Sequence, residues 1–331
     1  MKYSVFTVVM GEFSLEQTAQ ELKHLGYDGV EWRVHADYHI SPEDVQVRAE
    51  EINLLAKSHD LEIPVLGTYL DPANLEGVRK ALLAAQIMDC PAVRVRSASY
   101  TGKASYGEVL QEAISSLGEV EQFSRETNVK ILLEIHSGTI IPSASAARRL
   151  VSGFDPKCIG LIYDPANMIL EGRENWKMGL EILGEYLAHV HVKNVAWFQG
   201  KGEIASAWEW RYAPLDEGMV DWQEVLVALK SAGYDGYLSI EDLYGSGART
   251  TGLIQENLAA QDMNKISTPE KLKRDLNYLK DLNEHSVESE IREPWEIHRH
   301  AMSKNSHHGN VGLKGKQGRI ADQNERRRQT R

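Results

Sequence analysis

The stretches HLGYDGVEW (24–32) and SAGYDGYLSIE (231–241) carry the same punctuation far apart in the chain. In each, an amphipathic helical pattern stops at Gly, an Asp-Gly turn follows, and a β-branched or aromatic run begins. Gly just past a helix and Asp-Gly in the turn are what a helix-to-strand joint requires. The two stretches therefore read as echoes of one βα unit. Working outward from them, short β-branched runs alternate with amphipathic stretches from residue 3 to about 285, the pattern of βαβ units and a parallel sheet.

Eight such pairs are legible. Strands are predicted at 3–9, 29–34, 62–68, 92–97, 130–136, 159–164, 188–193 and 236–241. Helices are predicted at 14–25, 42–59, 75–88, 106–127, 143–152, 176–186, 221–232 and 268–282. Eight units predict an α/β fold, a single (β/α)8 TIM barrel, with its active site at the C-terminal ends of the strands. The rival, an open doubly wound sheet, usually carries a Gly-rich phosphate loop after its first strand; VVMGEFSLE (8–16) has no GxGxxG.

Bulk properties agree with one soluble globular domain, residues 1–284, followed by a polar C-terminal extension, 285–331. The chain has 331 residues, 42% hydrophobic and 26% charged, an ordinary globular composition. The run from Val5 to Met10 is broken at Gly11 and Glu12, too short for a membrane span or a signal peptide. A cytoplasmic protein without membrane partners is the expectation. Cys90 and Cys158, the only cysteines, are too few for a disulfide framework and read as small buried residues. A net charge of −11 speaks against nucleic-acid partners, whose phosphates need Lys and Arg. The extension, ending HRHAMSKNSHHGNVGLKGKQGRIADQNERRRQTR, is basic and poor in large apolar residues, and reads as an extended or partly disordered arm. Its His298, His300, His307 and His308 match no metal-site spacing.

Chemistry-bearing residues gather at the predicted strand ends. KILLEIHSG ends the fifth strand with Glu134 and His136, IGLIYDPAN ends the sixth with Asp164, and YLSIED ends the eighth with Glu241. In HVHVKN (189–194) period-two geometry puts His189, His191 and Lys193 on one face and Val190 and Val192 on the other. Each residue alone has a plain structural role: Asp before Pro forms turns, and a strand His is often a hydrogen-bonded core residue. Together they make a mixed O/N set suited to Mn²⁺, Mg²⁺, Co²⁺ or Zn²⁺.

LLEIH (132–136), YDPAN (163–167), HVHVKN and the closing PLDEGMVDWQEVLVALKSAGYDGYLSIED (214–242) together resemble the xylose isomerase-like TIM barrel superfamily of sugar and sugar-phosphate isomerases and epimerases, ketose 3-epimerases included. The resemblance spans about residues 1–284 and is most specific over 130–243. It implies one divalent metal, Mn²⁺ foremost, held by Glu134, Asp164, His191 and Glu241. The ligating histidine corresponds to the second of HxH, hence His191 rather than His189. Epimerising a ketose removes a proton beside a carbonyl. A metal stabilises the resulting enediolate, and glutamates on opposing sides take and return the proton. Glu134 and Glu241 receive those roles.

His136, Lys193, Arg96, Trp197 and Arg211 are further substrate-contact candidates. Glu31, Arg33, Arg94 and Arg96 lie on the second and fourth strands, where structural ion pairing is the simpler expectation. The long connection AWFQGKGEIASAWEWRYAPLDEG (196–218), with Trp197, Trp208 and Trp210, reads as a binding loop or a subunit contact, and a homo-oligomer is expected. The superfamily also holds a three-zinc DNA-repair endonuclease, but its extra histidine three residues after the strand-six Asp is Asn167 here. Closer rivals are a dehydratase acting on a keto-inositol or related cyclic keto-polyol and, from another class, a carbohydrate-binding scaffold without turnover.

Overall fold

The GYDG punctuation folds as its residues dictate. Helix α1 (Leu15–Leu25) stops at Gly26, whose left-handed φ of 91° lets its N–H donate to the carbonyls of Leu22 and Lys23. The second copy repeats this after α8 (Trp222–Ser231), with Gly233 at φ 73°. The computed structural model describes residues 1–199, 208–244 and 266–285.

Eight parallel strands follow these joints: β1 (Lys2–Phe6), β2 (Gly29–Arg33), β3 (Leu66–Gly67), β4 (Ala92–Val95), β5 (Lys130–Glu134), β6 (Ile159–Tyr163), β7 (Leu187–Val192) and β10 (Tyr237–Ile240). They close in the order β1-β10-β7-β6-β5-β4-β3-β2. Around them lie α2 (Ala49–Ser58), α3 (Leu75–Ile87), α4 (Tyr106–Thr127), α5 (Ala144–Val151), α6 (Pro165–Glu171), α7 (Trp176–Leu183) and α9 (Thr268–His285). The chain is thus the single (β/α)8 barrel that its alternation predicts. No helix among the described residues is long and apolar enough to cross a membrane. Residues 286–331, with the four tail histidines, lie outside the described residues.

Alternation along the strands decides what fills the barrel. Val65, Ala92, Leu132 and Ile162 pack together as an apolar floor, with Ala188 against them. Two residues on, the same inward face carries Gly67, Arg94, Glu134 and Asp164, so the interior changes from oil to charge within one step of the pleat. The outward residues Val93, Leu133, Leu161 and Val190 join the main core with the helices.

The structure departs from the sequence reading in several details, among them the short helix α6 where none is predicted and α7 ending at Leu183 rather than 186. The first strand ends at Phe6 and continues as a 3-10 turn, Thr7–Met10. The third is only Leu66–Gly67, because Pro64 has no N–H to offer a neighbour. Helix α2 begins at Ala49 rather than 42. The long connection after β7 is in part an antiparallel hairpin, β8 (Asn194–Gln199) with β9 (Trp208–Ala213); residues 200–207 lie outside the described residues.

Candidate active site at the C-terminal mouth of the barrel

Strands β5, β6, β7 and β10 are neighbours in the closed sheet, and each delivers one group to the same spot. Glu134 ends β5, Asp164 follows β6, His191 stands within β7 and Glu241 follows β10. One donor atom from each lies within 4.8 Å of all the others, and all four residues are buried. His191 Nδ1 is 3.3 Å from Glu134 Oε1 and 3.6 Å from Glu241 Oε2, so two carboxylates from either side converge on one imidazole nitrogen.

Local sequence holds these groups still. Asp164 caps α6, its Oδ1 accepting from the Asn167 N–H, with Pro165 as the first helical residue. The Asn167 amide donates to Glu134 Oε1 at 3.1 Å and to Asp164 Oδ2 at 2.8 Å, tying two of the acids together. Arg94 Nη2 sits 2.5 Å from Glu134 Oε2. Phe6 stacks on the His191 ring with centroids 5.7 Å apart, an apolar wall behind the imidazole.

Beneath His191 lies a second set, Glu31 with His189 and His191. Glu31 is fully buried. Its Oε2 accepts from His189 Nε2 at 3.0 Å and from the Ser239 hydroxyl at 2.7 Å, and Oε1 accepts from His191 Nε2 at 3.2 Å. This carboxylate binds the far side of the His191 ring, as the outer partners of metal-ligating histidines do.

The charges are strongly coupled. Burial pushes the Asp164 carboxyl up to about 6, with Lys193 opposing the rise and Glu134 and Glu241 adding to it. Burial also acts to raise Glu134, but Arg94, His191 and Lys193 outweigh it and hold that group well below the usual carboxylate range. The same contest holds Glu31 far below that range, through the two histidines. Burial disfavours the imidazolium of His191, yet Glu31 and Glu134 raise it to about 10. His189 goes the other way, lowered by burial.

Three carboxylates and an imidazole in a buried cage fit a divalent cation of borderline or hard character. They require positive charge at their centre, because uncompensated buried anions are costly. The Lys193 ammonium answers part of that need, 2.5 Å from Glu241 Oε2, 2.7 Å from Asp164 Oδ2 and 3.6 Å from Glu134 Oε1.

Of the further candidates, the structure brings only Lys193 into this cluster. His136 turns aside, its Nδ1 2.7 Å from the Ser137 carbonyl. Arg96 is exposed and paired with Asp71 at 2.7 Å. Arg211 lies on the hairpin face opposite Tyr212, 3.6 Å from Glu209 and over the Phe198 ring. Trp197 packs against the core, paired across the hairpin with Trp210. Of the expected ion pairs, Arg94 and Arg96 form theirs, Glu31 joins histidines instead, and Arg33 forms none among the described residues.

Sequence reasoning missed Tyr212, whose hydroxyl burial pushes up to about 12 in the field of Lys193, Glu241, Asp164 and Glu134. It lies on a hairpin strand inside a stretch that reads as loop. It also missed Ser239, although Ser239 lies two residues before Glu241, on the side of β10 that strand alternation gives to both.

Comparison with known proteins follows the same lines. A protein of Methanocaldococcus jannaschii of uncharacterised function is 24% identical over 259 residues, 73% of this chain and 84% of the relative. An inosose dehydratase of Lacticaseibacillus casei is 26% identical over 128 residues, so the match spans only 36% of this chain and 42% of that enzyme. Among solved structures, D-psicose 3-epimerase from Clostridium cellulolyticum H10, solved with D-tagatose, superposes with TM-score 0.65 at 15% identity, covering 86% of this chain and 99% of that one. The IolI protein with a bound zinc atom gives TM-score 0.67 at 16% identity, covering 87% and 100%. The profile of the xylose isomerase-like TIM barrel family matches residues 19–281, and the chain belongs to that family.

Proposed function

We propose that the protein is a divalent-metal-dependent isomerase or epimerase of a sugar or sugar phosphate. The observation that carries this reading is the placement of Glu134 and Glu241 at the two ends of an arc of four neighbouring strands, both reaching His191 Nδ1. Glu134, Asp164, His191 and Glu241 would hold the metal, and the ion, Mn²⁺ foremost, would supply positive charge to stabilise the anion formed beside a carbonyl. The chain's own residues supply the rest. One glutamate accepts the proton from the carbon next to the carbonyl, and the other returns a proton from the opposite side. Arg94 and Asn167 fix the orientation of Glu134. Phe6 and the Tyr212 side of the hairpin limit water. The solved epimerase and zinc-binding relatives share this fold, which supports the reading.

A dehydratase of a cyclic keto-polyol uses the same first step, and Lys193 beside Glu241 favours it as a proton donor to a departing β-hydroxyl. One assay separates the two. With Mn²⁺ in D₂O, an epimerase or isomerase places deuterium on the carbon beside the ketose carbonyl, whereas a dehydratase given keto-inositols produces an ultraviolet-absorbing enone. Glu134→Gln and Glu241→Gln are each expected to lower exchange about 10²-fold or more. Full exchange in either variant would remove the two-glutamate mechanism.

A further inference from the structure

Two arginines in the barrel keep buried donors that this chemistry does not use. Arg33, at the end of β2, is 5% exposed. Its guanidinium lies 3.8 Å from the centroid of the Tyr38 ring and 4.9 Å from that of Tyr69. Its Nε and Nη1 are buried with no hydrogen-bond partner, and no carboxylate pairs with it among the described residues. Arg94, 7% exposed, gives Nη2 to Glu134 but leaves Nε and Nη1 without hydrogen bonds, and its guanidinium lies 4.7 Å from the same Tyr69 ring.

Backbone register puts the two side by side. Arg33 is in register with Gly67 and Gly67 with Arg94, one row across β2, β3 and β4. From that row the Arg94 guanidinium reaches Glu134 on the neighbouring strand β5. Gly67 brings no side chain between the guanidiniums, and a Cβ there would meet Phe6 Cε2 at 2.5 Å. A guanidinium stays charged at any physiological pH, and burying one without an anion is costly. Such a cost is tolerated where a ligand supplies the missing charge.

We propose that Arg33 and Arg94, flanking Gly67 and backed by Tyr69, bind an anionic group, carboxylate or phosphate, carried by the sugar or polyol substrate. The proposal rests on the reading of this mouth as a sugar site and narrows it to acidic sugars. Arg33 is the principal anchor, because among the described residues no carboxylate offsets its charge, whereas Arg94 already has Glu134. Arg94 couples the anion to Glu134, so the same residue that receives the substrate's charge also orients a proton-carrying carboxylate.

The test is equilibrium binding by calorimetry to the full chain after EDTA treatment, with fructose, fructose 6-phosphate and the ketohexuronate fructuronate as matched probes. At least one anionic probe is expected to bind about tenfold or more tighter than fructose, and which of the two does so identifies the group as phosphate or carboxylate. Arg33→Met should erase that gap. Arg33→Lys, which keeps the charge but not the two-pronged fork, should narrow it, and its affinities decide the question if the Met variant does not fold. Three probes of equal affinity in the wild type, or a gap that survives both substitutions, would overturn the subsite. An anion-dependent gap without deuterium exchange in any ketose would keep the subsite and remove the isomerase reading. Exchange with no gap would do the reverse.

Discussion

Single residues decide what the site can hold. Glu134, Asp164, His191 and Glu241 are legible in the sequence because alternation fixes their direction at or near strand ends, although the choice of His191 over His189, on the same face, comes only from the family resemblance. Glu31 is visible there as an inward acid, but ion pairing with arginines is its simpler reading, since nothing local reveals that β2 lies across the barrel from β7. In the structure it accepts three hydrogen bonds, from His189, His191 and Ser239. Glu31 accepts at Nε2 while Nδ1 faces Glu134 and Glu241, so Nδ1 is the nitrogen that would give up its proton to bind a cation. Glu31→Gln keeps the volume but points an amide N–H₂ into a set of donors. We expect Mn²⁺ affinity, followed by electron paramagnetic resonance, to fall about 10–100-fold. An unchanged affinity would mean that Glu31 serves only to fill the barrel.

Elements differ in how openly the sequence announces them. Helix α4, bounded by the Ser105–Glu108 capping box and by Asn128 in the left-handed region, matches its predicted limits. The β8–β9 hairpin escapes because an antiparallel excursion interrupts the βα rhythm. Its pairing of Trp197 with Trp210 is a long-range fact. Helix α9 follows from periodicity, yet its buried Asp275 is odd for a core-facing position. The structure explains it: Asp275 and Asp242, just after β10, are buried acids close enough to repel one another, with Lys271 nearby. Burial, then the repulsion between the two acids, raises Asp275 far above its ordinary range, so the pair keeps a proton at neutral pH. A raised carboxyl binds more protons folded than unfolded. Its contribution to stability is therefore complete below about pH 4, the unfolded value, and declines as pH rises toward the folded value. Asp275→Asn should therefore stabilise the protein at pH 8 by about 1 kcal/mol or more, and less at pH 4. Urea melts at the two pH values read the difference, and a gain independent of pH would contradict the retained proton.

For the whole molecule, closure is what turns scattered strand ends into one site. Pairing of β1 with β10, Val5 beside Ile240, brings the last strand back to the first and sets Ser239 beside Glu31. The sequence supplies the count of units and the punctuation that repeats at 26–29 and 233–236. It does not supply the neighbour relations across the barrel, because residues as distant as Glu31 and His189 meet only when the sheet closes. A cation held by the four neighbouring strands would tie together elements that the chain connects only through long helical excursions. Ligand that binds only the folded state stabilises it by RT ln(1 + [L]/Kd), about 2.7 kcal/mol at a hundredfold excess over Kd. Mn²⁺ at that excess should raise Tm, and EDTA should return it to the starting value. Binding through Nδ1 displaces the proton that Glu134 holds there, so affinity should rise with pH, and calorimetry in buffers of different ionisation enthalpy should show release of about one proton. Asp164→Ala and His191→Ala should fold without gaining from Mn²⁺. If both variants still gained the full shift, the ion would be bound elsewhere, and the arc formed by β5, β6, β7 and β10 would be a polar core rather than a metal centre.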